Sequence, residues 1–121
     1  MAAYSVRQAA EWYGRKGFPV FPLHSVTPDG CSCNRPGCES PGKHPLITRW
    51  PEDASRASGM IRFWGRRGPE ANVGLVTGAA SGIVVLDVDP RHGGHASLEE
   101  LEGRFGELPA TAEAETGSGG R

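Results

Sequence analysis

The chain has 121 residues, of which 37% are hydrophobic and 22% charged, with a formal net charge of −1. That length fits one small domain, or a piece of a larger one, around a thin core, and the near-neutral total excludes a global attraction to nucleic acid or membrane. Eighteen glycines and ten prolines predict a loop-rich fold. No apolar stretch approaches the roughly 18–20 residues of a membrane span, and the start lacks the pattern of a signal peptide.

The predicted elements run in order. Ser5 caps a first helix, with Gln8 at capping-box spacing and Gly17 as its stop. Val6, Ala9, Ala10, Trp12 and Tyr13 form its apolar side. Residues 18–23 (Phe-Pro-Val-Phe-Pro-Leu) read as a short strand, placed at a sheet edge by its two prolines. Residues 24–45 form a long Pro/Gly/Cys loop, a length that implies a functional or pinned segment. Residues 53–66 read as a second helix with Met60, Ile61, Phe63 and Trp64 as its apolar side, and residues 72–77 as a strand. Residues 82–87 (Gly-Ile-Val-Val-Leu-Asp) are the strongest strand signal, a β-branched run typical of a strand buried on both faces. Residues 97–105 predict a third helix and residues 111–116 a weak final strand. The order α-β-loop-α-β-β-α-β gives an α/β or α+β fold class.

Charge is unevenly spread. Residues 1–70 hold ten Lys/Arg against six Asp/Glu, and residues 71–121 hold three against eight. This asymmetry suits a protein that holds phosphates with one face and cations with another; two ordinary solvated surfaces fit it equally well. Three cysteines within eight residues cannot build a disulfide framework, and without a secretion signal they imply reduced thiols and a cytoplasmic location.

Asp87 and Asp89 carry the chemistry. Separated by Val88 on an extended backbone, their carboxylates share a face roughly 6–7 Å apart. They can converge on hard cations, Mg²⁺ or Mn²⁺, of the kind that clamp the oxygens of a phosphoryl or nucleotidyl transfer. An Asp89-Pro90 turn explains Asp89 but leaves Asp87 unpaired in a Val/Leu run, where a charge is costly. A strand ending in Asp-x-Asp is also the nucleophile motif of haloacid-dehalogenase-type phosphatases, but Arg91 stands where that motif has Thr or Val. His92 and His95 just beyond read as solvated loop histidines, with metal assistance as the lesser reading.

Cys31, Cys33, Cys38 and His44 supply three thiols and an imidazole, a closed tetrahedral Zn²⁺ set, with His24 as a substitute for His44. Zinc also explains how a long polar loop stays ordered. Residues 37–43 match Walker A spacing, yet His44 replaces the required Ser/Thr, so no P-loop is assigned. Lys43 remains a point charge for a phosphate.

Together these segments resemble a known family. Phe18–Leu23, Pro41-Gly-Lys-His-Pro45, Asn72–Gly78, Ser81–Pro90 and Thr116-Gly-Ser-Gly-Gly120 occur in the order seen in bifunctional DNA primase/polymerase N-terminal (prim-pol) domains of the archaeo-eukaryotic primase superfamily. The Cys-rich insertion before Gly-Lys-His-Pro is similar to one in many members. The resemblance implies a primase-type core with an RRM-like sheet and a zinc-loop insertion at residues 24–45. It implies template-directed nucleotidyl transfer with divalent ions at Asp87 and Asp89. Ser118 and Gly119 match the opening of the family's nucleotide-binding motif, interrupted at Arg121 before its usual His. The implied partners are a DNA template and nucleoside triphosphates, with a fused or separate helicase open. On this reading residues 1–121 are the N-terminal part of a prim-pol domain; the alternative is a zinc-stabilised nucleic-acid-binding module without catalysis, binding DNA through residues such as Arg62, Arg66 and Arg67.

Overall fold

The computed structural model describes residues 3–121. Their contacts divide the chain into two units, residues 1–84 and 85–121. Both mix helix with extended chain, and the strands pair antiparallel in small sheets, an α+β architecture.

In the first unit, helix α1 (Val6–Arg15) starts where the sequence places it. The Ser5 hydroxyl accepts the Gln8 amide at 3.2 Å and the Gln8 side chain accepts the Ser5 amide at 2.8 Å, a complete capping box. Gly17, at φ +92°, lets the chain turn out of the helix. Strand β1 (Val20–Leu23) follows and pairs with β4 (Asn72–Leu75), Val20 opposite Leu75 and Leu23 opposite Asn72. As its prolines imply, β1 is an edge strand, one of the two in this sheet. Its other side bridges Ser55 and Pro45, and the Pro22 carbonyl accepts the Leu46 amide at 3.0 Å. A proline lacks only the N–H, so its carbonyl still serves a neighbouring segment.

The predicted helix over 53–66 is two helices, α2 (Trp50–Asp53) and α3 (Ser58–Arg67). Ser55 breaks it by exchanging both backbone hydrogen bonds with Val20, at 2.9 and 3.0 Å. The apolar side of α3 is correspondingly narrower. Ile61 is buried and Trp64 half-buried, whereas Met60 and Phe63 are exposed. Ala10, Val20 and Ile61 form the core, with Tyr13, Trp64 and Val73 packed against it. Burial of a Val or Ile side chain contributes roughly 1.5–3 kcal/mol, so this core is small. Two glycines allow its closeness. A Cβ on Gly14 would lie 2.7 Å from the Arg56 carbonyl oxygen and 2.8 Å from the Ile61 side chain. A Cβ on Gly74 would lie 2.5 Å from the ring of Phe21, its cross-strand partner.

The predicted strand over 82–87 is corrected. Ile83 makes one bridge to Gly78, and no ladder follows. Val84, Val85 and Leu86 are exposed by 93%, 66% and 54%. A β-branched run becomes a strand only when neighbours satisfy its backbone groups, and no described strand does so. The weak strand predicted over 111–116 is likewise irregular and exposed.

The second unit holds a 3₁₀ turn, Pro90–His92, and helix α4 (Gly94–Phe105), which starts earlier than the sequence predicts. Val88 and Leu98 are its buried apolar residues. No helix among the described residues is long and apolar enough to cross a membrane.

Candidate functional site

Local folding of residues 24–46 gathers the cysteine loop. A two-residue ladder, β2 (Val26–Thr27) with β3 (Gly30–Cys31), closes a hairpin that the sequence does not announce and delivers Cys31 at its end. The Thr27 hydroxyl donates to the Gly30 carbonyl at 2.9 Å and accepts the Asp29 amide at 3.2 Å. Asn34, at φ +56°, turns the chain after Cys33, and Gly42 at φ +69° turns it again before His44. His44 is seated against the open side of β1, where its carbonyl accepts the His24 amide at 2.9 Å.

The ligand atoms of Cys31, Cys33, Cys38 and His44 all lie within 4.8 Å of one another. His44 Nε2 is 3.4 Å from Cys31 Sγ and 3.6 Å from Cys38 Sγ. Tetrahedral zinc with bonds of about 2.0–2.3 Å sets its ligands roughly 3.3–3.8 Å apart, so a Cys₃His cluster of this size can hold zinc. All three cysteines are free thiols. His24 does not replace His44. Its Nδ1 is 2.7 Å from the Ser32 hydroxyl, and its ring stacks on His44 with centroids 4.3 Å apart. Burial, then the neighbouring His44 and Arg35, lower its pKa.

The cluster is polarised. The Cys33 and Gly42 amides lead in drawing the Cys31 thiol down to about 6, aided by His44 and the Cys33 thiol against partial desolvation. The Gly42 amide donates to Cys31 Sγ at 3.4 Å. The Ser40 amide pulls the Cys38 thiol down, but desolvation and the Cys33 and Cys31 sulfurs outweigh it, so its pKa is raised. A lowered Cys31 thiol favours metal capture, since the thiolate is the ligand.

Sequence reasoning missed Asn72. Its Nδ2 donates to the His24 carbonyl at 3.2 Å and the Gly42 carbonyl at 3.1 Å, tying both ends of the loop to β4. Lys43, beside His44, is exposed.

The second unit holds the acidic pair. Val88, between Asp87 and Asp89, donates its amide to the Arg121 carbonyl at 2.7 Å and accepts the Arg121 amide at 3.2 Å. In such a reciprocal antiparallel pair Val88 and Arg121 share one face, and the flanking aspartates share the other. The turn leading to Arg121 is closed by the Thr116 amide on the Gly120 carbonyl at 2.8 Å and the Gly119 amide on the Thr116 carbonyl at 3.0 Å. Gly119 adopts φ +82°, and a Cβ on Gly120 would lie 2.5 Å from the Val88 carbonyl oxygen. Ser118 Oγ sits 3.3 Å from Thr116 Oγ1. Ser118 and Gly119 thus belong to the turn that runs beside the acidic pair.

The two carboxylates differ. Asp87 is exposed and makes no side-chain hydrogen bond among the described residues. Asp89 caps the 3₁₀ turn and is gripped by Arg91, whose amide, Nε and Nη2 donate at 2.9, 3.1 and 3.0 Å. His92 Nδ1 is 3.0 Å away as well. The Arg91 guanidinium first, then its amide and His92, hold the Asp89 carboxyl well below the usual range. His92 therefore has a partner that the sequence does not disclose, while His95 is exposed with none among the described residues.

The first unit thus carries a Cys₃His cluster that could hold a metal, and the second an acidic pair beside a Gly-rich turn. The family model for the bifunctional DNA primase/polymerase N-terminal domain matches residues 10–121, and the chain belongs to that family. Primase/polymerases act on DNA and nucleotides and use divalent metals. Searches of curated proteins and of solved structures return no match.

Proposed function

We propose that the chemistry of this prim-pol chain is template-directed nucleotidyl transfer at Asp87 and Asp89. The carrying observation is the reciprocal hydrogen-bond pair between Val88 and Arg121, which sets the Gly-rich turn alongside the acidic pair. The donor set fits a hard divalent cation: Asp87 is open to solvent, and Asp89 stays ionised because of Arg91. Bound Mg²⁺ or Mn²⁺ would supply charge stabilisation at the transferring phosphoryl group.

The chain's own residues do the rest. Asp87 and Asp89 provide oxygens on one face. Ser118 offers its hydroxyl to the phosphates of a nucleoside triphosphate, and Gly119, at φ +82°, lets the turn bring it there without a side chain in the way. Lys43 supplies a point charge to a phosphate. Cys31, Cys33, Cys38 and His44 hold Zn²⁺ as a structural ion, ordering residues 24–45. Residues 116–121 open the nucleotide-binding motif, and DNA template and nucleoside triphosphates are the substrates.

The test compares wild type with D87N/D89N in Mn²⁺ binding, nucleotide binding and primed-template extension, with circular dichroism as the fold check. The variant is expected to keep its fold and lose Mn²⁺-dependent nucleotide binding and extension. Equal binding and equal synthesis by both proteins would overturn the assignment.

A further inference from the structure

The sulfurs of the cysteine loop are not sealed from solvent. Cys31, Cys33 and Cys38 are half-buried, and residues 34–37 and 39–41 around them are exposed. Small solutes therefore reach the thiols. The ligand atoms lie within 4.8 Å of one another, so two sulfurs need approach by less than about 3 Å to reach the roughly 2 Å of an S–S bond.

The three thiols are not equivalent. Cys31 is fixed by its backbone pairing with Val26 in the β2–β3 hairpin. Its sulfur accepts the Gly42 amide at 3.4 Å and lies 3.4 Å from His44 Nε2. One residue separates it from Cys33, and a disulfide across that single residue would strain the end of β3. Cys33 and Cys38 lie outside the ladder. Between them the chain folds back, with Asn34 at φ +56° and Gly37 at φ +68°.

We infer that Cys33 and Cys38 are a site of reversible oxidation, at which a peroxide joins them as a disulfide and expels the zinc. This rests on the assignment of Zn²⁺ to the Cys₃His set. One thiolate attacks a peroxide oxygen, the O–O bond breaks and hydroxide leaves, giving a sulfenic acid. The second thiolate attacks that sulfur, the S–S bond forms and the S–O bond breaks, releasing a second hydroxide. Two solvent protons turn both hydroxides to water; sulfur is oxidised and peroxide oxygen reduced. Cys31 and His44 remain, two ligands where tetrahedral zinc takes four, so the ion leaves. A thiol reductant reverses the step. The loop then depends on a hairpin of two residue pairs, the His24 and Ser25 contacts with Ser32, and the Asn72 tie. Residues 33–43 lose their anchor, the ion, and loosen.

The test treats reduced, zinc-loaded protein with hydrogen peroxide. It reads zinc release with a chromophoric chelator, the disulfide by non-reducing peptide mapping, and trypsin cleavage after Lys43, which is exposed beside His44. One zinc should be lost per disulfide formed, the link should join Cys33 to Cys38, cleavage at Lys43 should quicken, and dithiothreitol should restore zinc uptake. C31H, C33H and C38H each keep four ligands as a Cys₂His₂ set. C31H should release zinc like wild type, whereas C33H and C38H should retain it. Peptide mapping of wild type tests the pair even if a variant misfolds. A link through Cys31, or release from C33H and C38H at the wild-type rate, would overturn the inference. Zinc held by wild type under peroxide would overturn it alone. Reduced protein that binds no zinc would overturn the zinc assignment and the inference with it.

Discussion

Asn72 is where the sheet and the metal loop meet, and its removal gives the sharpest test of how the loop is held. Its amide donates to the carbonyls of His24 and Gly42, at either end of the loop, and Gly42 in turn donates its own amide to Cys31 Sγ. Asn72→Ala removes both donors and leaves two half-buried carbonyls to find water. At about 0.5–1.5 kcal/mol net per hydrogen bond, the loss is about 1–3 kcal/mol. For a chain of this size that is a fall in melting temperature of about 4 °C per kcal/mol. The cost should be largest with zinc bound, because only then are both loop ends fixed for Asn72 to tie. Thermal unfolding of wild type and variant, each with zinc and with chelator, gives the coupling directly. Zinc affinity, read by competition with a chromophoric chelator, should fall severalfold in the variant. If Asn72→Ala melts with wild type in zinc, or loses as much stability in chelator as in zinc, the tie between loop and sheet is refuted.

Arg91→Gln should free Asp89 and tighten Mn²⁺ binding about two- to fivefold, the scale of an exposed ion pair; weaker Mn²⁺ binding by calorimetry would show that Arg91 supports the ion instead. In zinc-free protein the Cys31 thiol titrates near 6 when folded, against an ordinary value of 9.0. A depressed acid stabilises the fold at high pH, so stability should climb between pH about 6 and about 9 and fade below about 6. Cys31→Ser should flatten that rise in denaturant titrations. Gly14→Ala should destabilise by about 1–3 kcal/mol despite alanine's better helix propensity, because its methyl would press on the Arg56 carbonyl and Ile61; a variant as stable as wild type by urea melt would show that α1 and α3 can part at no cost.

What the sequence discloses is what is local. The Ser5–Gln8 capping box needs only three residues of spacing and forms as read. The Cys and His spacing likewise marks a cluster that the fold assembles. The larger misreadings turn on partners distant in the chain. The 82–87 run has strand composition, but composition cannot supply a neighbouring ladder, and Val84 stands exposed. The helix predicted over 53–66 breaks because Val20, more than thirty residues earlier, claims the backbone of Ser55. Asn72 and Arg91 escaped notice for a related reason. Neither residue type signals a role until the fold shows what it holds.

The approach of Phe21 to Gly74 has an evolutionary corollary. A ring and a bare backbone face each other across β1 and β4, leaving no volume for a methyl group. Drift at either position is therefore not independent of the other. Relatives that retain an aromatic residue at the first should keep glycine at the second, and those that gain a side chain at the second should have shed the ring. An alignment deep enough to show covariation should display these two columns changing together, a genetic record of one cross-strand contact.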